Sequence, residues 1–184
     1  EMLDLVVSWG AITLAFSWRD ILVGNVASLP AYALAVFLGF LLHEIAHRNV
    51  ARRLGIHAYY QAWYPGLIMA LLVSALTGGR FVIAAPGAVM VTWADTYLAS
   101  IVAIWGPLTN ALIALTVYPL KHLSSMVATY AAIIGSVNAM LAFFNSLPIP
   151  PLDGYKVFAY SIKRWTILFL ASTLILALYI SAIF

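Results

Sequence analysis

The sequence predicts an all-α polytopic membrane protein of about five to six transmembrane helices, with a small membrane-associated β-hairpin. Three observations predict it. Of 184 residues, 65% are hydrophobic and only 8% are charged, whereas soluble domains carry about 25% charged residues. The mean hydropathy is +1.02. The apolar residues also fall into runs of membrane length, separated by the few charges. At roughly 20 residues per span, the chain holds five or six helices in a single membrane domain, residues 1–184, without room for a soluble catalytic domain. Disorder is excluded by the same composition, and the absence of cysteine excludes a disulfide scaffold. The net charge of +3 rests on nine Lys/Arg against six Asp/Glu. That is too sparse for a basic stripe, so no nucleic-acid partner is expected.

The first span runs from Met2 to Trp18 and closes at Arg19-Asp20. The second follows Pro30, a residue suited to a first helical turn, and continues through Ala31–Leu42 to end near Leu54-Gly55. Gly66–Leu76 is shorter, about 16 Å as a helix, or half the hydrocarbon thickness. It reads as a re-entrant or interfacial segment, with a full span as the alternative. Phe81–Val91 carries β-branched residues on both sides of Pro86-Gly87 and reads as the hairpin. Tyr97–Tyr118 and Leu123–Phe144 are full-length spans. Asn145–Gly154 breaks the apolar pattern, and Trp165–Phe184 is a last uncharged span.

Five spans put Arg48, Arg52, Arg53, Arg80, Lys156, Lys163 and Arg164 on one side, against Arg19 and Lys121 on the other. This asymmetry assigns the larger group and the N-terminus to the cytoplasm.

The chemistry sits in the second span, where His43-Glu44-Ile45-Ala46-His47 has the form His-Glu-x-x-His. Residues four apart on a helix lie one turn above each other, so both imidazoles can bind one Zn²⁺. Glu44, beside the first ligand, can reach a water at the metal as general base. Ionisable residues inside a span default to a functional reading, and here three fall within five positions.

A catalytic zinc site keeps three protein ligands and leaves the fourth position to water. Position 53 holds Arg53, so the longer metzincin pattern fails. Asp20 and His122 fall on the outer side, His57 lies beyond the helix end at Gly55, and Asp95 suits a helix N-cap. Asp153 remains. It follows Pro148, Pro150 and Pro151, which cannot continue a helix. Irregular backbone at membrane depth survives only when buried in protein or lining a wet cavity. The topology also returns Asp153 to the half that holds His43 and His47.

His43–His47, followed about a hundred residues later by Asn145-x-x-Pro148-x-x-Pro151-Leu152-Asp153-Gly154, resembles the site-2 protease family of intramembrane zinc metalloproteases. Gly106-Pro107-Leu108-Thr109-Asn110 resembles that family's Gly-Pro-x-x-Asn element. The resemblance implies that His43, His47 and Asp153 bind one Zn²⁺ and that Glu44 activates the water. It implies that Asn145 hydrogen-bonds the substrate backbone or the developing oxyanion, where a helix C-cap is the alternative. It also implies that the hairpin receives an unwound substrate as an added strand.

Asn110 and Asn138 are candidates to line a wet cavity, and Gly106 and Gly135 to be small-residue contacts between helices. The expected function is zinc endopeptidase action on transmembrane segments of membrane-bound substrates, as in regulated intramembrane proteolysis. The chain would be a multi-pass protein of the cell membrane, with its active site towards the cytoplasm. Its partners would be a transmembrane protein substrate and the lipid bilayer. The rival is a membrane metal-binding or transport protein using the same His/Asp site, and Glu44 separates the two.

Overall fold

The structure is a computed structural model and describes residues 1–82, 87–91, 95–123 and 125–180. Among these residues, five helical stretches are long and apolar enough to cross a membrane: Met2–Leu22, Val26–Arg53, Thr96–His122, Met126–Asn145 and Ile162–Ile180. The chain is a polytopic all-α membrane protein with a small two-stranded sheet.

α1 (Met2–Leu22) carries Arg19 in its last turn, where a cation meets the negative end of the helix dipole. The helix therefore runs through Arg19-Asp20 rather than stopping before them. The second span opens with a 3₁₀ turn at Val26–Ser28 and continues as α2 (Leu29–Val36), a π-helical turn at Phe37–Leu41 and α3 (Leu42–Arg53). β1 (Ala58–Ala62) and α4 (Tyr64–Leu76) follow, then β2 (Gly87–Val91). α5 (Thr96–Val117) contains Pro107 and ends in a 3₁₀ turn at Tyr118–His122. α6 (Ser125–Asn145), α7 (Asp153–Tyr160) and α8 (Ile162–Ile180) complete the chain.

The antiparallel sheet is present, but its pairing is long-range. β2 pairs with β1 in the register Tyr60↔Val89, so α4 stands between the two strands in sequence. Residues 83–86 of the expected hairpin lie outside the described residues, as do the last four residues of the expected final span. β1 was not foreseen; five residues are too few to show a period. α7 was also missed, being a two-turn helix placed directly after the prolines.

α4 lies along α1 in the same direction. Tyr64 donates to Asp4 at 2.7 Å and Ser74 to the Ala15 carbonyl at 2.7 Å. Gly79 sits against the Arg19 backbone, where φ is +75° and a Cβ would have no room. By Gly87 the chain is back beside β1. The chain through the Gly66–Leu76 run therefore leaves β1 and returns to it, and the membrane-length helices among the described residues number five. Arg80 is corrected in consequence: following Gly79, it lies at Arg19's end of the molecule. The basic residues divide six against three instead of seven against two, the same asymmetry in weaker form.

The main core joins α1, the second span, β1, α4 and α6 through Ile12, Val36, Phe40, Tyr60, Leu67 and Leu141. A second cluster packs α5, α6 and α8 through Ala111, Ala114, Ala139, Ala142, Ile175 and Tyr179. Small side chains there let the helices approach closely, as membrane packing favours. Gly135 behaves as expected, because a Cβ would strike the Tyr179 ring.

Candidate metal centre

α3 stacks His43 above His47, one turn apart. Their rings stand edge to face with centroids 4.6 Å apart, and both residues are buried. The break after α6 brings Asp153 to them at the first turn of α7. The Ser146–Leu152 segment is held by Trp165 donating to the Ser146 carbonyl at 2.9 Å and by Leu152 N–H donating to the Ile149 carbonyl at 2.9 Å. Asp153 Oδ2 lies 3.2 Å from His43 Nε2 and 2.9 Å from His47 Nε2, and the two Nε2 atoms are 3.0 Å apart.

The protons on these rings can be assigned from their other contacts. Asn110 Nδ2 donates to the Gly39 carbonyl at 2.7 Å. A carbonyl only accepts, so the amide is oriented with Oδ1 towards His43 Nδ1, 2.6 Å away. His43 therefore carries its proton on Nδ1. His47 Nδ1 faces the Val102 carbonyl at 2.8 Å, which fixes the same tautomer. This is how metal-binding histidines are commonly oriented. Both Nε2 lone pairs then converge with a carboxylate oxygen.

Three acceptors at these separations repel one another unless a cation lies among them. Zinc bonds of 2.0–2.2 Å at tetrahedral angles set ligand atoms on the order of 3.4 Å apart, a few tenths of an ångström wider than here. The donor set fits Zn²⁺, and His43, His47 and Asp153 could hold a metal ion.

Gly106 explains how α5 passes so close. A Cβ at this position would strike Nε2 of both His43 and His47. The small-residue reading of Gly106 is therefore sharpened: its neighbour is the histidine pair itself. Pro107 leaves the adjacent turn one hydrogen bond short, in the same stretch where the Val102 carbonyl turns to His47. Asn110 and Asn138 are fully buried and do not line the cavity. Asn138 Oδ1 accepts from Asn110 Nδ2 at 3.0 Å, and its Nδ2 donates to the Ile134 carbonyl at 2.8 Å. Together they tie α6 and α5 to the π-helical turn, whose Gly39 carbonyl is one of the acceptors. Asn110→Leu should weaken zinc binding by ~10–100-fold, measured by competition with a chelator of known affinity. Unchanged affinity would show that the amide does not orient His43.

Glu44 is buried, and its Oε2 has no hydrogen-bond partner among the described residues. A cavity of about 350 Å³ opens beside it, lined by the two histidines, Glu44, Asp153, Lys156 and Asn145, with Ile12, Phe40, Val89 of β2 and Leu141 among the apolar walls. Asn145, the last residue of α6, donates Nδ2 to the Leu141 carbonyl at 3.0 Å. It makes the capping contact and also faces the cavity. Lys156 Nζ lies 3.0 Å from Asp153 Oδ1, and that carboxylate raises the lysine above its ordinary range.

The remaining candidates lie elsewhere. Asp95 caps α5 by accepting from Leu98 N–H at 2.7 Å. Asp20 accepts from Asn25, His57 stands near Tyr59, and His122 near Tyr118.

A protein of Methanocaldococcus jannaschii named "Putative zinc metalloprotease" is 36% identical to this chain over 174 residues, covering 91% of this chain and 87% of its own length. The chain belongs to this zinc metalloprotease family. No protein-family model matches the chain, and no solved structure matches it. For a zinc metalloprotease, two imidazoles and a carboxylate beside an unpaired buried glutamate are the expected equipment.

Proposed function

We infer that this zinc metalloprotease is an intramembrane endopeptidase of the site-2 protease type, cutting membrane-bound substrates within or near their transmembrane segments. The observation that carries the reading is the location of the site. His43, Glu44 and His47 lie inside a membrane-length helix, and Asp153 closes on them from the proline-broken segment after another span. Peptide hydrolysis consumes water, and the bilayer core has none, so the cavity must supply it.

His43, His47 and Asp153 would hold one Zn²⁺, with water in the fourth position. When bound, the ion supplies Lewis acidity that makes a water nucleophilic at neutral pH. Glu44 Oε2 takes a proton from the water that adds to the scissile carbonyl carbon. It then returns that proton to the departing amine nitrogen as the carbon–nitrogen bond breaks. Asn145 spends one Nδ2 hydrogen on Leu141, and the second is available to the carbonyl oxygen as it gains negative charge.

A substrate helix hides its carbonyls in hydrogen bonds and must unwind to react. β2 supports this step: it is paired along one edge with β1 and lines the cavity through Gly87–Met90. An extended substrate segment can lie along that strand. The apolar walls suit the side chains of a transmembrane segment. The basic asymmetry of the spans supports a cell-membrane protein whose site faces the cytoplasmic half.

The test is cleavage of a tagged single-span reporter by purified protein in detergent. Cleavage is expected to stop after chelation and to return with added zinc. Cleavage that survives complete metal removal would overturn the reading. A zinc-loaded protein that cleaves no reporter but moves zinc across vesicles would establish the transport alternative.

A further inference from the structure

The two oxygens of Asp153 have different partners. Oδ2 faces the imidazoles at 3.2 and 2.9 Å, and Oδ1 accepts from Lys156 Nζ at 3.0 Å. Both groups belong to α7, with Lys156 three positions after Asp153, one turn along the helix. Lys156 also lines the cavity beside Asp153, Asn145 and Glu44. A carboxylate near a divalent cation can give it one oxygen or both. With both, it raises the coordination number from four to five and crowds the position that a catalytic site leaves to water.

From this division of oxygens we propose that Lys156 is a positioning residue that holds Asp153 as a one-oxygen ligand and so keeps the metal four-coordinate, with its fourth position uncrowded for water. The charged ammonium has no lone pair and cannot itself bind a metal. Its three hydrogens can only engage acceptors, and Oδ1 is the acceptor it reaches. Without Lys156 the freed Oδ1 loses its charged partner, and the cation beside Oδ2 becomes its alternative partner. The proposal rests on the metal site inferred above, and extends it to a residue outside the ligand set.

The test compares wild type with Lys156→Met and Lys156→Arg, each loaded with Co²⁺ in place of zinc. The cobalt visible spectrum distinguishes four-coordinate from five-coordinate metal, and metal content is measured alongside. Wild type is expected to give the intense four-coordinate spectrum. Lys156→Met should keep one metal per chain, shift to the weaker five-coordinate spectrum and lose ~10–100-fold in activity. Arginine, which also donates to Oδ1, should restore the wild-type spectrum.

An ordinary ion pair within one helix would leave the spectrum unmoved, so a wild-type spectrum in Lys156→Met overturns the proposal while leaving the metal site intact. Absence of metal from wild type overturns the site itself. Zinc-edge X-ray absorption on wild type tests the same point should the methionine variant not fold. One carboxylate oxygen at the metal supports the proposal, and two oxygens from Asp153 overturn it.

Discussion

Glu44→Gln is expected to abolish reporter cleavage while leaving bound zinc at the wild-type level. Glutamine has the size of glutamate and would fill the same buried place beside the cavity. It cannot take a proton from water. A positioned general base is worth about 10²–10⁴ in rate, so cleavage should fall by that factor or more. The proposed ligands His43, His47 and Asp153 are untouched by the change. Cleavage and zinc content are measured on the same preparations. A variant that cuts at the wild-type rate would remove Glu44 from the mechanism, and one that loses zinc would make it a part of the metal site. In a transporter the same substitution would leave zinc movement unaltered.

Gly106→Ala should weaken zinc binding. Two effects oppose each other. Alanine is favoured over glycine inside a helix by about 1 kcal/mol, and α5 would gain that much. The new methyl, however, would occupy the space of His43 Nε2 and His47 Nε2, and overpacking typically costs 1–3 kcal/mol. The rings cannot swing aside cheaply, because His43 is held at Nδ1 by Asn110 at 2.6 Å and His47 by the Val102 carbonyl at 2.8 Å. Steric exclusion therefore wins at the ligand atoms, even where the helix itself stays formed. Zinc affinity should drop by ~10-fold or more, and the thermal stabilisation that zinc gives the wild type should shrink with it. Stoichiometric zinc with full activity in Gly106→Ala would show that α5 can retreat from the histidines without cost.

The sequence by itself determined the spans to within five or six, the short Gly66–Leu76 run being the open one, since the hydropathy of a run about 20 residues long is a local property. It determined the His43–His47 pair for a similar reason: the helix repeat fixes which neighbours share a face. Asp153 was legible because prolines at 148, 150 and 151 exclude a helix, and irregular backbone in a membrane needs a protein-lined site.

The tertiary structure decided the rest. β2 was legible as a strand, but its partner Ala58–Ala62 lies beyond α4, and pairing at that separation leaves no turn signature. Arg80 joined Arg19 because α4 travels the length of α1 before turning at Gly79. Asn110, read first as a cavity liner, became the group that fixes the His43 tautomer. Gly106 became the gap that admits the imidazoles, and Lys156 the partner of the second Asp153 oxygen. The physical reason is common to all of these. Periodicity and backbone restriction are written in neighbouring residues, whereas the approach of one helix to another is set by packing between segments far apart in the chain, and no local pattern encodes it.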